Sequence, residues 1–275
     1  MDIHLEILIP AVDPMQREIL IAELTEQGFE GFEEEDTQLH AFVKQDEFHE
    51  NEFMRLLQRF GLPHEKKSLP EQNWNEIWER NFEPVCVGNF CVVRSAFHNP
   101  DRHAQFELII TPKMSFGTGH HATTYMMIEG MERLTLAGKS VFDFGTGTGI
   151  LAILAEKMGA ASIHAIDNDD WSISNARENL AVNECQKIRL EKASEISTTQ
   201  KFDFIFANIN KKLIFNTLHQ LEQQMRPGGV LLLSGLLMED LPELTTIADQ
   251  RNLQMDELNK KDNWICIRLK KISRN

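Results

Sequence analysis

Asp143-Phe144-Gly145-Thr146-Gly147-Thr148-Gly149 stands between an apolar strand pattern, Val141–Phe144, and a helical pattern, Ile150–Met158. Glycines at alternate positions let the backbone turn tightly and leave room for a ligand against the chain. The next strand pattern, Ser162–Ile166, ends at Asp167, 22 positions after Gly145. A carboxylate there can accept hydrogen bonds from a ribose diol. Together these residues describe a nucleoside ligand lying across the carboxyl ends of the strands. A dinucleotide site uses G-x-G-x-x-G/A, whereas the spacing here is G-x-G-x-G, with Ile150 where the last small residue would stand. Asp143 would also repel a pyrophosphate at short range. It suits a ligand carrying a cationic amino group and a sulfonium, as S-adenosylmethionine does. An oxidoreductase reading is disfavoured on both counts.

Outward from this stretch, strands alternate with helices. The helix Trp171–Asn183, strands Ile188–Glu191 and Asp203–Ala207, helix Leu213–Met225 and strand Val230–Ser234 continue the pattern. Such alternation specifies a parallel sheet with helices on both faces. After the Leu241–Gln250 helix come Leu253–Leu258 and Trp264–Leu269, separated only by Asn259–Asn263. Strands so close cannot be joined by a crossover helix, so they form an antiparallel hairpin at one end of the sheet. Upstream, Val85–Phe97 and Phe106–Thr111 read as strands joined through the turn Asn99-Pro100-Asp101. Trp74, Ile77, Trp78 and Phe82 recur at helical spacing over Gln72–Phe82, a connecting helix whose aromatics serve packing.

Residues 1–70 form a different unit. Asp2–Ile9 alternates as a strand, and Asp13-Pro14 starts a helix that Gly28 stops, with Met15, Ile19, Ala22 and neighbouring leucines as its apolar stripe. Strands Phe29–Phe32 and Gln38–Val43 follow, with Glu33-Glu34-Glu35-Asp36 as their turn. A helix over Glu47–Phe60, with Phe53, Leu56, Leu57 and Phe60 inward, and a strand at Lys66–Leu69 complete β-α-β-β-α-β, the ferredoxin-like order. The domains are therefore 1–70, and 71–275 with its linker helix.

Charge separates the two further. The chain of 275 residues carries a formal charge of −14; residues 1–70 hold 16 acidic and 6 basic side chains, a balance of −10. That opposes nucleic-acid binding and anionic membrane surfaces and favours a basic partner. No basic, apolar leader opens the sequence, and the apolar run Val230–Met238 is too short to span a bilayer and is broken by Ser234 and Gly235. Four cysteines without a paired CxxC fit a reduced, cytoplasmic compartment.

At these residues the chain resembles the class I S-adenosylmethionine-dependent methyltransferases, whose Rossmann-like seven-stranded sheet ends in such a reversed hairpin. The resemblance implies that Asp143 faces the methionine end of the cofactor and Asp167 the ribose, beside Gly145, Gly147 and Gly149. Pro227-Gly228-Gly229 looks like the family's turn into strand five. The adenine contacts are left unassigned, because only Ala193-Ser194 follows strand three. Phe116-Gly117-Thr118-Gly119-His120-His121-Ala122-Thr123-Thr124 and Asn208-Ile209-Asn210, with Trp74, Trp78, Phe82 and Pro84 upstream, are similar to the PrmA family, methyltransferases of large-subunit ribosomal protein eleven. This likeness covers about residues 74–275 by motif; residues 1–70 match in size and layout only, as the family's substrate-recognition domain.

The resemblance implies methylation of lysine ε-amines and the N-terminal α-amine of that ribosomal protein, trimethylated in repeated rounds. It also implies cofactor contacts from Phe116, Gly117 and Thr124. A helix starting near Thr124 equally allows a simple cap there. Asn208 is the candidate for positioning the amine and for touching the cofactor. Amino-group methyltransferases often carry Asn-Pro-Pro-Tyr at this point; Ile209, Asn210 and Lys211 depart from it, which disfavours planar-amide and nucleobase acceptors. Adjacent His120 and His121 lack the i, i+4 spacing of a metal pair, so no metal is expected, and Gly117 and Gly119 suggest a flexible flap. No general base is evident. The alternatives are methylation of RNA or another protein by the same core, and a binding module that holds the cofactor without catalysis.

Overall fold

The computed structural model describes residues 4–10, 14–29, 31–35, 38–69, 83–100, 103–111, 117–196 and 199–272. The chain divides into two compact units, Met1–Asn81 and Phe82–Asn275. The predicted helix Gln72–Phe82 lies outside the described residues.

In the first unit, strands β1 (His4–Pro10), β2 (Gly31–Glu35), β3 (Gln38–Lys44) and β4 (Glu65–Leu69) form an antiparallel sheet in the order β2-β3-β1-β4. Helices α1 (Pro14–Glu26) and α2 (Glu50–Phe60) link them. Strict alternation buries Leu39, Ala41 and Val43 of β3 against Leu20 and Leu24 of α1 and Phe53, Leu56 and Leu57 of α2. Gly61 ends α2 in the left-handed conformation, its N–H and that of Leu62 taking up the last free carbonyls. Two expectations are corrected here. Ile19 lies on the exposed side of α1, because Leu20 and Leu24 set the inward stripe. The acidic run is not a turn: Glu33, Glu34 and Glu35 belong to β2, paired with His40, Leu39 and Gln38. Pairing along β3 as far as Glu35 with Gln38 overrides the low strand propensity of glutamate.

In the second unit, β8 (Ser140–Phe144), β9 (Ser162–Asp167), β10 (Ile188–Lys192), β11 (Phe202–Asn208), β12 (Met225–Leu237), β13 (Leu253–Lys261) and β14 (Trp264–Lys271) make a mixed sheet in the order β10-β9-β8-β11-β12-β14-β13. Its pairs are parallel from β10 to β12, and β14 runs antiparallel to both neighbours. The hairpin strands run longer than the sequence pattern suggested, and meet at Asp262-Asn263 with Asp262 at φ 56°. Both sheet faces are covered. Val141, Ala165, Phe206 and Leu232 pack on one side with α3 (Ala122–Glu132) and α4 (Ile150–Lys157). Phe142, Ile166, Ile205 and Leu233 pack on the other with α6 (Lys211–Gln224) and α7 (Leu241–Gln250). This two-sided burial explains the near-continuous apolar strands.

The segment 85–97 is a hairpin rather than one strand. It comprises β5 (Val85–Val87), a turn, and β6 (Cys91–Arg94), which also pairs in parallel with β7 (Phe106–Ile109). Gly88 in that turn was the overlooked signal. Helix α5 (Asp170–Val182) anchors β7: Asn183 accepts from the Ile109 N–H and donates to its carbonyl, and Asn179 accepts from the Thr111 N–H.

Candidate active site

The order of chain travel reverses between β8 and β11, and such switch points open a crevice at the carboxyl ends of the strands. A cleft of about 610 Å³ opens there, lined by Gly145, Gly147, Asp167, Asn208 and Ile209 among others. One half is built from the loops after β8 and β9. The Gly145 and Thr146 amides both donate to the Ile166 carbonyl, at 2.9 Å. Asp167 accepts from the Gly147 N–H at 2.8 Å through one oxygen and from the Asp169 N–H at 3.1 Å through the other. Asn168 and Ser172 continue this wall.

Asp143, at the end of β8, is fully buried. Its Oδ2 accepts from Thr146 Oγ1 at 2.6 Å, while Oδ1 has no hydrogen-bond partner within bonding distance among the described residues. Burial pushes its carboxyl up to about 7; the Thr146 hydroxyl and the Ala152 amide pull down against this, and the nearby Asp167 charge adds to it. Among the described residues no cation is paired with Asp143.

The other half of the cleft is built from the ends of β11, β12 and β14. Asn208 donates through Nδ2 to Thr124 Oγ1 at 3.2 Å. Ile209 is wedged between two glycines. A Cβ on Gly145, which has φ +74°, would lie 2.4 Å from Ile209 Cγ2; one on Gly235, at φ +100°, would lie 1.9 Å from the Ile209 carbonyl oxygen. Only glycine permits both approaches. Asn210 caps α6 by accepting from the Leu213 N–H at 3.0 Å. Lys211 Nζ reaches Asp240 Oδ1 at 2.5 Å, and Leu237, Glu239 and Trp264 complete the wall.

Of the residues singled out from sequence, Gly145, Gly147, Asp167 and Asn208 line the cleft. Gly149 is the N-cap of α4, and Asp143 lies behind the glycine loop. Thr124 is fully buried behind Asn208; Thr123 is the threonine on the cleft wall. Helix α3 starts at Ala122 and is capped by His121 Nδ1 accepting from the Thr123 N–H, so Thr124 is not the cap. Gly117 is buried, its carbonyl accepting from Thr148 Oγ1 at 2.7 Å; Phe116 lies outside the described residues. His120 Nε2 is 3.0 Å from the Glu83 carbonyl oxygen, and the His121 ring meets Trp264 edge to face at 5.1 Å, so the described part of the glycine–histidine segment is tethered. Among the described residues no His, Cys, Asp and Glu side chains gather as a metal site.

Sequence reasoning missed Trp264, Leu237, Glu239, Asp240 and Gly235 as cleft residues. Gly235 did carry a signal. A glycine inside an apolar strand marks a close backbone approach, and here the β12–β14 register shifts between Ser234 and Leu236.

The profile of the ribosomal protein L11 methyltransferase (PrmA) family matches residues 11–272. A Porphyromonas gingivalis protein named ribosomal protein L11 methyltransferase is 42% identical over 259 residues, 91% of this chain and 89% of the relative. One of the same name from Chlorobaculum parvum is 36% identical over 275 residues, 95% of this chain and 94% of that one. The crystal structure of a ribosomal protein L11 methylase from Lactobacillus delbrueckii subsp. bulgaricus superposes with TM-score 0.65 at 30% identity, covering 70% of this chain and all of the other. A methyltransferase from Pyrococcus furiosus shares the fold alone, with TM-score 0.50 at 19% identity. With its mixed α/β sheet and glycine-loop cleft, the chain belongs to the ribosomal protein L11 methyltransferase family.

Proposed function

We propose that this enzyme transfers methyl groups from S-adenosylmethionine to amino groups of ribosomal protein L11, taking lysine ε-amines and the N-terminal α-amine to the trimethyl state. One observation carries the reading above the others: Asn208 lines the same cleft as Gly145, Gly147 and Asp167. An acceptor group and a nucleoside cofactor would therefore meet there.

The residues present fit S-adenosylmethionine. Asp143, buried behind the glycine loop with Oδ1 lacking a bonded partner among the described residues, would supply a counter-charge to the ligand's amino group and sulfonium. Gly145 and Gly147 leave backbone for close approach, and Asp167 is placed for the ribose hydroxyls. Gly117, Gly149, Phe116 and Thr124 belong to the cofactor side of this reading, with Thr124 acting through Asn208. When bound, the cofactor supplies an electrophilic methyl group on a good leaving group. Asn208 keeps its amide fixed on Thr124 Oγ1 and leaves its carbonyl oxygen to accept a hydrogen bond from the incoming amine. The amine must arrive neutral. At pH 7 only about one free lysine in 2,500 is neutral, and the apolar walls Ile209, Leu213, Leu237 and Trp264 would lower its affinity for a proton by desolvation. Water outside the cleft takes the proton, and no general base is assigned.

The acidic first unit, read as a ferredoxin-like substrate-recognition domain over residues 1–70, would dock this basic protein, while 71–275 carry the linker and catalytic domain. The order β2-β3-β1-β4 with two helices supports that reading. The same charge opposes an RNA acceptor. No described helix is long and apolar enough to cross a membrane, and the proposed place of work is the cytoplasm. Intact-mass analysis of L11 after incubation with enzyme and cofactor tests the proposal: additions in multiples of one methyl group are expected. Label entering ribosomal RNA alone would overturn the acceptor, and cofactor binding without any transfer would leave a binding module.

A further inference from the structure

The segment Asn208–Lys211 is fixed at both ends, by different means. On its entering side Asn208 is bonded to Thr124, and the Ile209 N–H donates to the Ser234 carbonyl at 3.2 Å. On its leaving side Asn210 caps its own helix, and the tie to another element is Lys211. Lys211 Nζ lies 2.5 Å from Asp240 Oδ1 and 3.6 Å from Glu243 Oε2. Asp240 is 4% exposed, and its other oxygen accepts from the Leu237 N–H at 2.9 Å. One buried carboxylate thus joins the first residue of α6 to the turn that follows β12. Both partners line the cleft.

Resting on the methyltransferase reading above, we infer that the Lys211–Asp240 pair is a positioning latch: it holds the two loops of the acceptor half at the spacing that aims Asn208 at the amine. Neither residue is assigned a chemical step. Releasing Lys211 would leave the Asp240 carboxylate with the Leu237 amide but without its cation, so the closed arrangement is favoured. The pair also stays ionised through the neutral range. The hydrogen bond to Asp240 holds the Lys211 ammonium above its usual value. Burial would raise Asp240, yet the Lys211 hydrogen bond and the Leu237 amide hold it below. The latch is therefore geometric rather than pH-operated. Its leverage on rate comes from the sensitivity of a displacement reaction to placement, where about 1 Å of misplacement costs on the order of a hundredfold.

The test uses the full chain with Lys211→Met, Lys211→Arg and Asp240→Asn. Lys211 is half exposed, so its variants should fold even where Asp240→Asn does not. On L11, Lys211→Met is expected to lower kcat about tenfold. S-adenosylhomocysteine affinity by calorimetry should stay within about twofold, and Lys211→Arg, which keeps the ion pair, should keep most of the rate. Hydrogen exchange of the backbone across 208–213, measured without any acceptor, should speed up in Lys211→Met and not in Lys211→Arg. Unchanged kcat, an equal loss in Arg and Met, or unchanged exchange in Lys211→Met would overturn the latch. Should wild-type enzyme leave L11 unmodified, the acceptor assignment fails, and the exchange measurement still decides the latch.

Discussion

The two halves of the cleft are built on different principles. The centre of the proposed cofactor half is a local structure: one turn, Gly145–Gly149, and the strand end at Asp167, cross-linked by amides donating to Asp167 and to the Ile166 carbonyl. The proposed acceptor half is assembled from chain positions far apart, with Asn208, Gly235, Asp240 and Trp264 brought together by the sheet order. A local site tolerates change elsewhere in the fold, whereas an assembled one transmits it. Mutations should therefore separate binding from turnover, according to the half they touch.

Asn208→Ala is the sharpest way to break this division. It removes the side chain nearest the proposed acceptor position and leaves the glycine loop untouched. We expect kcat on L11 to fall about 10²–10³-fold, the scale of losing one well-placed polar contact in the transition state. The S-adenosylhomocysteine dissociation constant should change less than about threefold. A parallel loss of both would show that the halves are not separable at Asn208.

Gly235→Ala tests how the acceptor half is assembled. The new Cβ would meet the Ile209 carbonyl oxygen at 1.9 Å, at a φ of +100°. Backbone faces backbone there, so nothing flexible can yield. A cost of about 3 kcal/mol is expected in urea unfolding, from the sum of overpacking and left-handed strain. Gly61→Ala is the control: its φ of +65° is also left-handed, but nothing lies within 4 Å of the added carbon. Strain alone predicts about 1 kcal/mol there. Equal losses at the two positions would mean that the Ile209 wedge contributes nothing.

The same division accounts for what could be read from the sequence. The alternation of strands and helices from Ser140 onward, and the end hairpin, follow from periodicity and loop length, which are local properties. Gly145, Gly147 and Asp167 could be placed because their spacing is a local constraint. Trp264 and Asp240 could not, since nothing near them in sequence says which strand β14 pairs with or where the turn after β12 ends. Glu33–Glu35 were misread because glutamate disfavours strands in isolation, and pairing with Gln38, Leu39 and His40 reverses that preference. Thr124 was placed on the correct segment, but one residue decides which threonine faces the cleft: on a helix, adjacent side chains point about 100° apart.

Asp143→Asn sharpens the comparison from the cofactor side. With its carboxyl pushed up to about 7 in the folded enzyme and 3.8 as its ordinary value, the folded state holds more protons than the unfolded chain between those limits. Stability of the ligand-free enzyme should accordingly fall as pH rises from about 4 to 7 and level off above. The upper bound is about 4 kcal/mol. Asp143→Asn removes that slope and should be the more stable protein at pH 8. At the same pH it should bind S-adenosylmethionine about tenfold more weakly, because the ligand's cationic end loses its counter-charge. Wild-type affinity should weaken below pH 7 as Asp143 takes up its proton, and the variant's should not. A flat profile in both proteins would remove Asp143 from cofactor binding.

The smallest effect belongs to the first unit. The described residues that line the cleft belong to the second unit, so the excess of ten negative charges over residues 1–70 should contribute chiefly in encounter with the acceptor. Complementary charge acts chiefly on the association rate and is screened by salt over about 8–10 Å. Replacing Glu33, Glu34 and Glu35 by lysine should raise the KM for L11 about three- to tenfold at low ionic strength, with kcat and cofactor affinity unchanged. The difference should shrink as salt is added. Because these residues lie on strand β2 rather than in a free turn, single substitutions should accompany the triple one to separate charge from strand stability. A KM that ignores both the substitutions and the salt would reduce the acidic run to a solvated strand and move substrate recognition elsewhere in the chain.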